Sequence, residues 1–225
     1  MQPLDPLLDE LAALLRATYD LWSPGWVIFN WRGYTYDHVR RVQSLAATLA
    51  QREGGDATVM ELAALLHDIT KPYDGEYLLD DQGQRLTDER GLWRNAVRYP
   101  EGENEVTRLF ERLHLAGELH SLSGAAVADH LLRKRGVSAD LRHRVATTIA
   151  EHLGPDSSAG IESRCLYDAD TIDANIGLPA FVRNIYIHAH FYDQRRAEGA
   201  LDFDEMLERA PLDYLRPYIS ENLMR

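Results

Sequence analysis

The sequence predicts an all-α fold, because apolar residues recur at helical spacing along most of the chain, whereas residues 73–104 are polar and only weakly periodic. The chain has 225 residues, of which 45% are hydrophobic and 27% charged, and this suits a globular protein with one sizeable core. No repeat or low-complexity linker divides it. We predict a single domain over residues 1–225, with a core of five or more helices and a short β-hairpin or irregular insertion.

Two helices are predicted in the first quarter of the chain. The first covers about residues 4–19 and is followed by an aromatic loop that packs on the core. The second has Asp37 as a candidate N-cap and ends at Gly54-Gly55, since glycine favours the left-handed backbone found after helix ends.

The third predicted helix leads into the insertion. It begins at Asp56 or Thr58 and is stopped by Pro72, which cannot donate a backbone hydrogen bond. Residues 73–104 are then polar and weakly periodic, with a hairpin predicted around Asp81-Gln82-Gly83.

Helical spacing returns near residue 104 and continues towards the C-terminus. Gly136 and Gly154-Pro155 are predicted helix stops, and Ser138 is a predicted N-cap. The last predicted helices lie within residues 178–223.

Composition excludes several classes of function. The net charge of −12 disfavours nucleic-acid polymers and anionic membranes as partners. Cys165 is the only cysteine, which excludes an internal disulfide and thiolate zinc clusters and suggests a small core residue. The acidic N-terminus does not resemble a secretory signal, and no apolar run reaches membrane-spanning length, so we expect a cytoplasmic protein. The oligomeric state stays open.

Polar residues at the end of the third helix indicate a metal site. His67 and Asp68 follow an apolar run, and Lys71 lies three residues later. Burying such groups without partners is costly. Neutral imidazole binds divalent transition metals and a carboxylate neutralises their charge, so a metal ion would compensate for the burial.

Four of the nine histidines have positions that favour a shared site inside the fold. Helical spacing places each of them on an inward face or at the end of one: His38, His67, His120 and His152. Gly124, one turn after His120, is predicted to leave room for an ion or a substrate. A lone inward histidine is more often a hydrogen-bonded core residue, so the prediction depends on the four taken together.

The segment "DADTID" offers three carboxylates, Asp168, Asp170 and Asp173, although such a cluster is more often a solvated helix start. Lys71 could equally be a solvated cation favoured by a helix C-terminus. His130 and His143 are predicted at the surface, and His114 has no clear partner in the sequence. His188 and His190, two residues apart, point nearly opposite ways on a helix and cannot readily share an ion.

The order of these motifs resembles the HD-domain superfamily of metal-dependent phosphohydrolases. "YDHVRRV" is similar to the family's first-histidine helix, and "LAALLHDITKP" resembles its His-Asp motif with a lysine three residues on. "LHSLSGA", "IAEHL" and "DADTIDA" resemble the later ligand segments of its two-metal subgroup. The resemblance implies a metal-binding core over about residues 36–176 and an insertion over about residues 73–104.

The same resemblance implies a ligand set. It assigns His38, His67, Asp68 and Asp170 to one ion and His120 and His152 to a second, with Asp68 bridging the two. Asp170 is preferred to Asp168 because it precedes the position where the family usually has a basic residue. That position holds Thr171 here, a departure from the pattern.

The implied activity is hydrolysis of a phosphate ester or anhydride of a nucleotide or other small phosphorylated metabolite. Two divalent ions would hold the phosphate and activate hydroxide, with Asp68 and Lys71 as the catalytic residues. Arg41 is a weaker candidate for a phosphate contact, and an exposed helix cation is its simpler role. Histidine-rich ligation favours Mn, Fe, Co, Ni or Zn over Mg.

Two other functions use the same residues. An HD-type di-iron oxygenase acting on a small polar substrate has similar ligands, and oxygen uptake would distinguish it. A nucleotide-binding sensor with a degenerate site would bind without turnover, but all six ligand positions are intact.

Overall fold

The computed structural model describes residues 4–24, 33–82, 84–89, 91 and 94–183. Its principal helices are α1 Leu4–Tyr19, α2 Tyr34–Glu53, α3 Ala57–Leu66, α4 Glu105–Arg112, α5 His120–Lys134, α6 Ala139–Glu151 and α7 Ile161–Thr171. Two short strands, β1 Asp74–Tyr77 and β2 Asn95–Val97, form an antiparallel pair between α3 and α4. The prediction of an all-α fold with a small hairpin insertion is therefore confirmed.

Helix α3 lies at the centre of the fold. It packs against α1, α2, α5, α6 and α7. Its residues 62–66 are all fully buried, as are Val59 and Met60. A helix that is apolar on nearly every side belongs in a protein interior. The surrounding helices therefore bury most faces of α3 and not only a single apolar stripe.

Helix α3 ends earlier than predicted, before it reaches Pro72. The helix ends at Leu66, and residues 67–70 form turns. In a longer helix the carbonyl of Asp68 would face Pro72, which has no N–H to donate. That carbonyl instead accepts from the Tyr19 hydroxyl at 2.8 Å and from the Lys71 N–H at 2.9 Å.

The predicted helix caps are partly confirmed. Asp56 caps α3, accepting from the backbone N–H of Thr58 at 2.9 Å, and Ser138 caps α6. Asp37 does not cap α2, because the helix begins three residues earlier at Tyr34 and Asp37 lies in its first turn.

The insertion pairs strands that are farther apart than predicted. Asp74 pairs with Val97 across β1 and β2, while a bridge between Leu79 and Arg85 spans the predicted turn at residues 81–83. A local hairpin signal identified the turn, but it could not identify the more distant partner strand.

Several predictions concern the remaining parts of the chain. Cys165 is a buried free cysteine, as predicted. Residues 178–183 are helical, and the rest of the predicted C-terminal helices lies outside the described residues, as do His188 and His190. Within the described part of the chain, no helix has the length and apolar character needed to cross a membrane.

Candidate metal centre

The centre of the site is the Asp68 carboxylate, which four histidine rings surround. The Nε2 atoms of His38 and His67 lie 3.8 and 3.6 Å from Asp68 Oδ2. Those of His120 and His152 lie 3.5 and 3.9 Å from Oδ1. All five side chains are buried. Each carboxylate oxygen therefore faces a different pair of imidazoles.

Helix ends bring these side chains together. His38 lies in the second turn of α2, and His67 and Asp68 form the turn after α3. His120 is the first residue of α5, and His152 follows the last residue of α6. Because α3 is packed by these helices, their ends converge on the turn that follows it.

The spacing around Asp68 fits ligands of a metal ion better than hydrogen bonds. The four distances exceed the ~2.7–3.2 Å of a hydrogen bond. Two ligands that each lie ~2.0–2.1 Å from one tetrahedral ion are about 3.4 Å apart. Three ligand groups have atoms within 4.8 Å of one another: His38, His67 and Asp68; His67, His152 and Asp170; Asp68, His120 and His152.

Two of the rings have a buried nitrogen that lacks a partner. His67 Nδ1 donates to the carbonyl of Ala64 at 2.8 Å, and His152 Nδ1 donates to the carbonyl of Ile149 at 2.7 Å. A carbonyl can only accept, so in each neutral ring Nε2 carries the lone pair. Both Nε2 atoms are buried and have no hydrogen-bond partner among the described residues. An unpaired buried acceptor is costly, and a metal ion would satisfy both.

Carboxylates orient the other two rings. His38 Nδ1 donates to Asp173 Oδ2 at 2.7 Å, and His120 Nδ1 donates to Asp74 Oδ2 at 2.7 Å. Asp173 is held in turn by Arg41, whose guanidinium donates to both of its oxygens at 2.7 and 3.0 Å. A carboxylate behind a ligating histidine fixes the ring and raises its basicity, as in many metal sites.

The three aspartates of "DADTID" have different places. Asp170 Oδ1 lies 3.1 Å from His38 Nε2 and 3.9 Å from His67 Nε2, so it faces the candidate centre. Asp173 orients His38 from behind, and Asp168 is exposed. Sequence reasoning missed the role of Asp173, although its spacing of three from Asp170 was a usable signal.

The electrostatics of Asp68 and His152 suit metal ligation. Burial raises the pKa of Asp68, but the neighbouring His67, His120 and Lys71 outweigh it and hold the pKa well below its usual range. Burial, together with the His67 and His120 rings, lowers the pKa of His152 to about 3. The carboxylate is therefore ionised and the imidazole neutral near pH 7, the forms that bind metal.

His38 and Asp170 are an ion pair without a metal. Burial lowers the pKa of His38, but hydrogen bonds to Asp170 and Asp173 outweigh it and raise the pKa to about 9. Burial raises the pKa of Asp170, but its hydrogen bond to His38 outweighs it and lowers the pKa to about 2. A cation binding between the two must displace the proton of His38 Nε2.

Two other predicted roles need correction. A Cβ atom at Gly124 would lie 3.1 Å from the carbonyl oxygen of His67, so this glycine admits the close approach of α5 rather than an ion or a substrate. Arg41 is not an exposed helix cation, because its side chain is only 32% exposed and is paired with Asp173. Arg41 thus places a positive charge next to the aspartate motif. Thr171, at the position where the family usually has a basic residue, carries no charge.

Lys71 lies at the edge of the candidate centre. Its Nζ is 3.3 Å from both ring nitrogens of His120 and 3.3 Å from Asp74 Oδ2, and its side chain is 35% exposed. The three remaining histidines among the described residues do not belong to the candidate ligand groups. His114 and His143 are exposed, and His130 is half-buried and donates to the carbonyl of Ala126.

A cavity of about 880 Å³ opens beside Lys71 and His120. The insertion forms much of its wall, contributing Asp74, Arg85, Arg94 and Asn95. Small-molecule sites commonly have volumes of ~300–1,000 Å³. The cavity can therefore accommodate a metabolite beside His120, the one of the four histidines that lines it.

Comparison with models of known protein families gives a match that covers the site. The family model of the HD domain matches residues 35–175, well over half of the chain. Neither the curated proteins nor the solved structures gave a significant match. The matched range contains all four histidines, Asp68 and Asp170, and the protein therefore belongs to the HD-domain family, a superfamily of metal-dependent hydrolases.

Proposed function

We propose that this chain is a metal-dependent phosphohydrolase that cleaves a phosphate ester or anhydride of a nucleotide or another small phosphorylated metabolite. The observation that carries the proposal is the position of Asp68, with one pair of imidazoles at each carboxylate oxygen. That arrangement suits two ions bridged by one carboxylate. Four imidazoles favour Mn, Fe, Co, Ni or Zn over Mg.

The proposed ligands divide into two sets. The ion at Asp68 Oδ2, the Oδ2 ion, would be held by His38, His67 and Asp170. The ion at Oδ1, the Oδ1 ion, would be held by His120 and His152. When bound, two such ions supply a clamp for phosphate oxygens and lower the pKa of a coordinated water to about 7.

Charge balance supports a phosphate substrate. Asp68 and Asp170 bring two negative charges to two divalent ions, so the loaded centre keeps a net positive charge. The neighbouring carboxylates are already paired, Asp74 with Lys71 and Asp173 with Arg41. A local positive centre can bind phosphate even though the chain carries a net charge of −12.

The activity is tested by metal analysis of freshly purified protein, followed by a phosphate-release screen. The screen covers monoesters, diesters and nucleotides with each of the six metals. We expect phosphate release with at least one transition metal and its loss on chelation. Oxygen uptake by the iron-loaded protein, with no phosphate release from any substrate, would contradict the proposal and favour an oxygenase.

Lys71 is proposed to hold a non-bridging phosphate oxygen, because its ammonium lies at the cavity end of the centre. Lys71→Met should lower kcat/KM by about 10²–10³-fold, the usual loss for one transition-state contact, without changing metal content. Steady-state kinetics and metal analysis measure the two effects.

The matched control is Lys134→Met, at the other lysine of the chain, whose side chain is 71% exposed and paired with Glu105. It should leave kcat/KM unchanged. If Lys71→Met also kept wild-type kcat/KM, Lys71 would have no role in catalysis.

A further inference from the structure

We infer that the insertion between α3 and α4 is part of the metal centre: through Asp74 it orients His120 and determines how tightly the Oδ1 ion binds. The inference rests on the two-ion centre proposed above. It gives Asp74 the role of a positioning residue, one that touches a metal ligand and not the metal.

The contact between Asp74 and His120 is the first step. Asp74 is the first residue of β1, and its Oδ2 accepts from His120 Nδ1 at 2.7 Å. With the proton on Nδ1, the lone pair of His120 is on Nε2, which lies 3.5 Å from Asp68 Oδ1. Lys71 Nζ lies 3.3 Å from the same Asp74 oxygen and keeps the carboxylate charge-paired.

His120 differs from the other three histidines in what orients it. His67 and His152 donate to carbonyls three residues earlier in the chain, and the π-helix Ile172–Ile176, which follows α7, supplies the carboxylate that holds His38. His120 begins α5, and its ring nitrogen is held by a residue of the insertion. The insertion therefore contributes to one ion and not to the other.

Strand pairing determines where Asp74 lies. Asp74 pairs with Val97 on β2, and the next residue is Gly75. A Cβ atom at Gly75 would lie 2.7 Å from the carbonyl oxygen of Ala96, so β2 approaches the backbone of β1 more closely than any side chain allows. The glycine permits this approach and thereby holds Asp74 beside His120.

The insertion links the shape of the cavity to the affinity for the Oδ1 ion. Asp74 lines the cavity together with Arg85, Arg94 and Asn95 from the same insertion. The segment that forms the wall of the cavity is thus the segment that orients a metal ligand. Changing the β1–β2 pairing should change the binding of the Oδ1 ion.

The experiment is a titration of the metal-free protein with Co²⁺, followed by visible absorption and by competition with a chelator. Asp74→Ala should lower the affinity for one of the two Co²⁺ ions by about 10–100-fold, the usual effect of removing a group that orients a ligand. Asp74→Asn should weaken the binding of the same Co²⁺ ion less, because the amide oxygen of asparagine still accepts from His120 Nδ1. It should also shift the visible absorption bands of that ion. Gly75→Ala should weaken the binding of that ion too, because β2 must move away.

Two controls make the result specific. Leu79→Ala, at an insertion side chain that is 56% exposed, should leave both equivalents unchanged. Asp173→Asn should weaken the other equivalent, since Asp173 orients His38.

Three outcomes would overturn the inference: unchanged affinities in Asp74→Ala, equal weakening of both equivalents, or a wild-type protein that binds one equivalent only. The titration does not involve phosphate. A wild-type protein that binds two ions, loses one on Asp74→Ala and releases no phosphate would refute the proposed hydrolase and support the inference.

Discussion

Replacing Asp68 with asparagine is expected to remove both metal ions and all measurable hydrolysis. Asp68 is 6% exposed and its two oxygens face the two pairs of imidazoles, so the variant loses the charge shared by the two proposed ion positions. Removing a group that only orients a ligand lowers metal affinity by about 10–100-fold, and removal of a bridging ligand should exceed that. Metal analysis after dialysis and the phosphate-release assay measure the loss.

The fold should survive this substitution. The Tyr19 hydroxyl binds the backbone carbonyl of Asp68, which asparagine keeps. Circular dichroism should therefore show wild-type helicity. Asp168→Asn makes the same change of charge at an exposed position of the aspartate motif and should keep full metal content and activity. Full activity in Asp68→Asn would refute the assignment of the site.

Removing metal from the wild-type protein is expected to abolish activity and lower the Tm. In the folded chain, candidate ligand atoms such as His67 Nε2 and His152 Nε2 are buried without partners among the described residues. The unfolded chain does not hold these atoms together. An ion at 100 times its Kd stabilises the folded state by about 2.7 kcal/mol. At ~2–4 °C per kcal/mol for a chain of this length, the Tm should differ by about 5–11 °C between loaded and chelated protein.

Differential scanning calorimetry with added Zn²⁺ or Mn²⁺ and with chelator measures this shift. The control is Asp68→Asn, whose Tm should respond weakly or not at all to the same additions. Equal Tm values for loaded and chelated wild-type protein would contradict the idea that these buried groups form a metal site.

The helices and the four histidines could be predicted because their signals are local. The Asp56 cap, the Gly54 stop and the inward positions of His38 and His152 each depend on residues within one or two helical turns. Their order along the chain then indicated a family whose match covers residues 35–175.

The groups that orient the candidate ligands could not be predicted in the same way. Asp74 reaches His120 because β1 pairs with β2, about twenty residues farther along the chain, and no local pattern specifies that pairing. Asp173 reaches His38 from Ile172–Ile176, where α7 continues as a π-helix and its side chains change phase.

Helix ends were the other source of error. The sequence marks Pro72 as a stop, but α3 already ends at Leu66, six residues before the proline. The sequence predicts open space beside Gly124, because glycine has no side chain. In the structure that space is taken by the close contact between α5 and the carbonyl of His67.

The most direct test of the central claim is anomalous X-ray diffraction from crystals of the protein loaded with Zn²⁺ or Mn²⁺. We predict two anomalous peaks about 3.5–4 Å apart, one at each oxygen of Asp68. One peak should contact His38, His67 and Asp170, and the other His120 and His152. A map with no peak at Asp68, or with metal bound only at other side chains, would contradict the account.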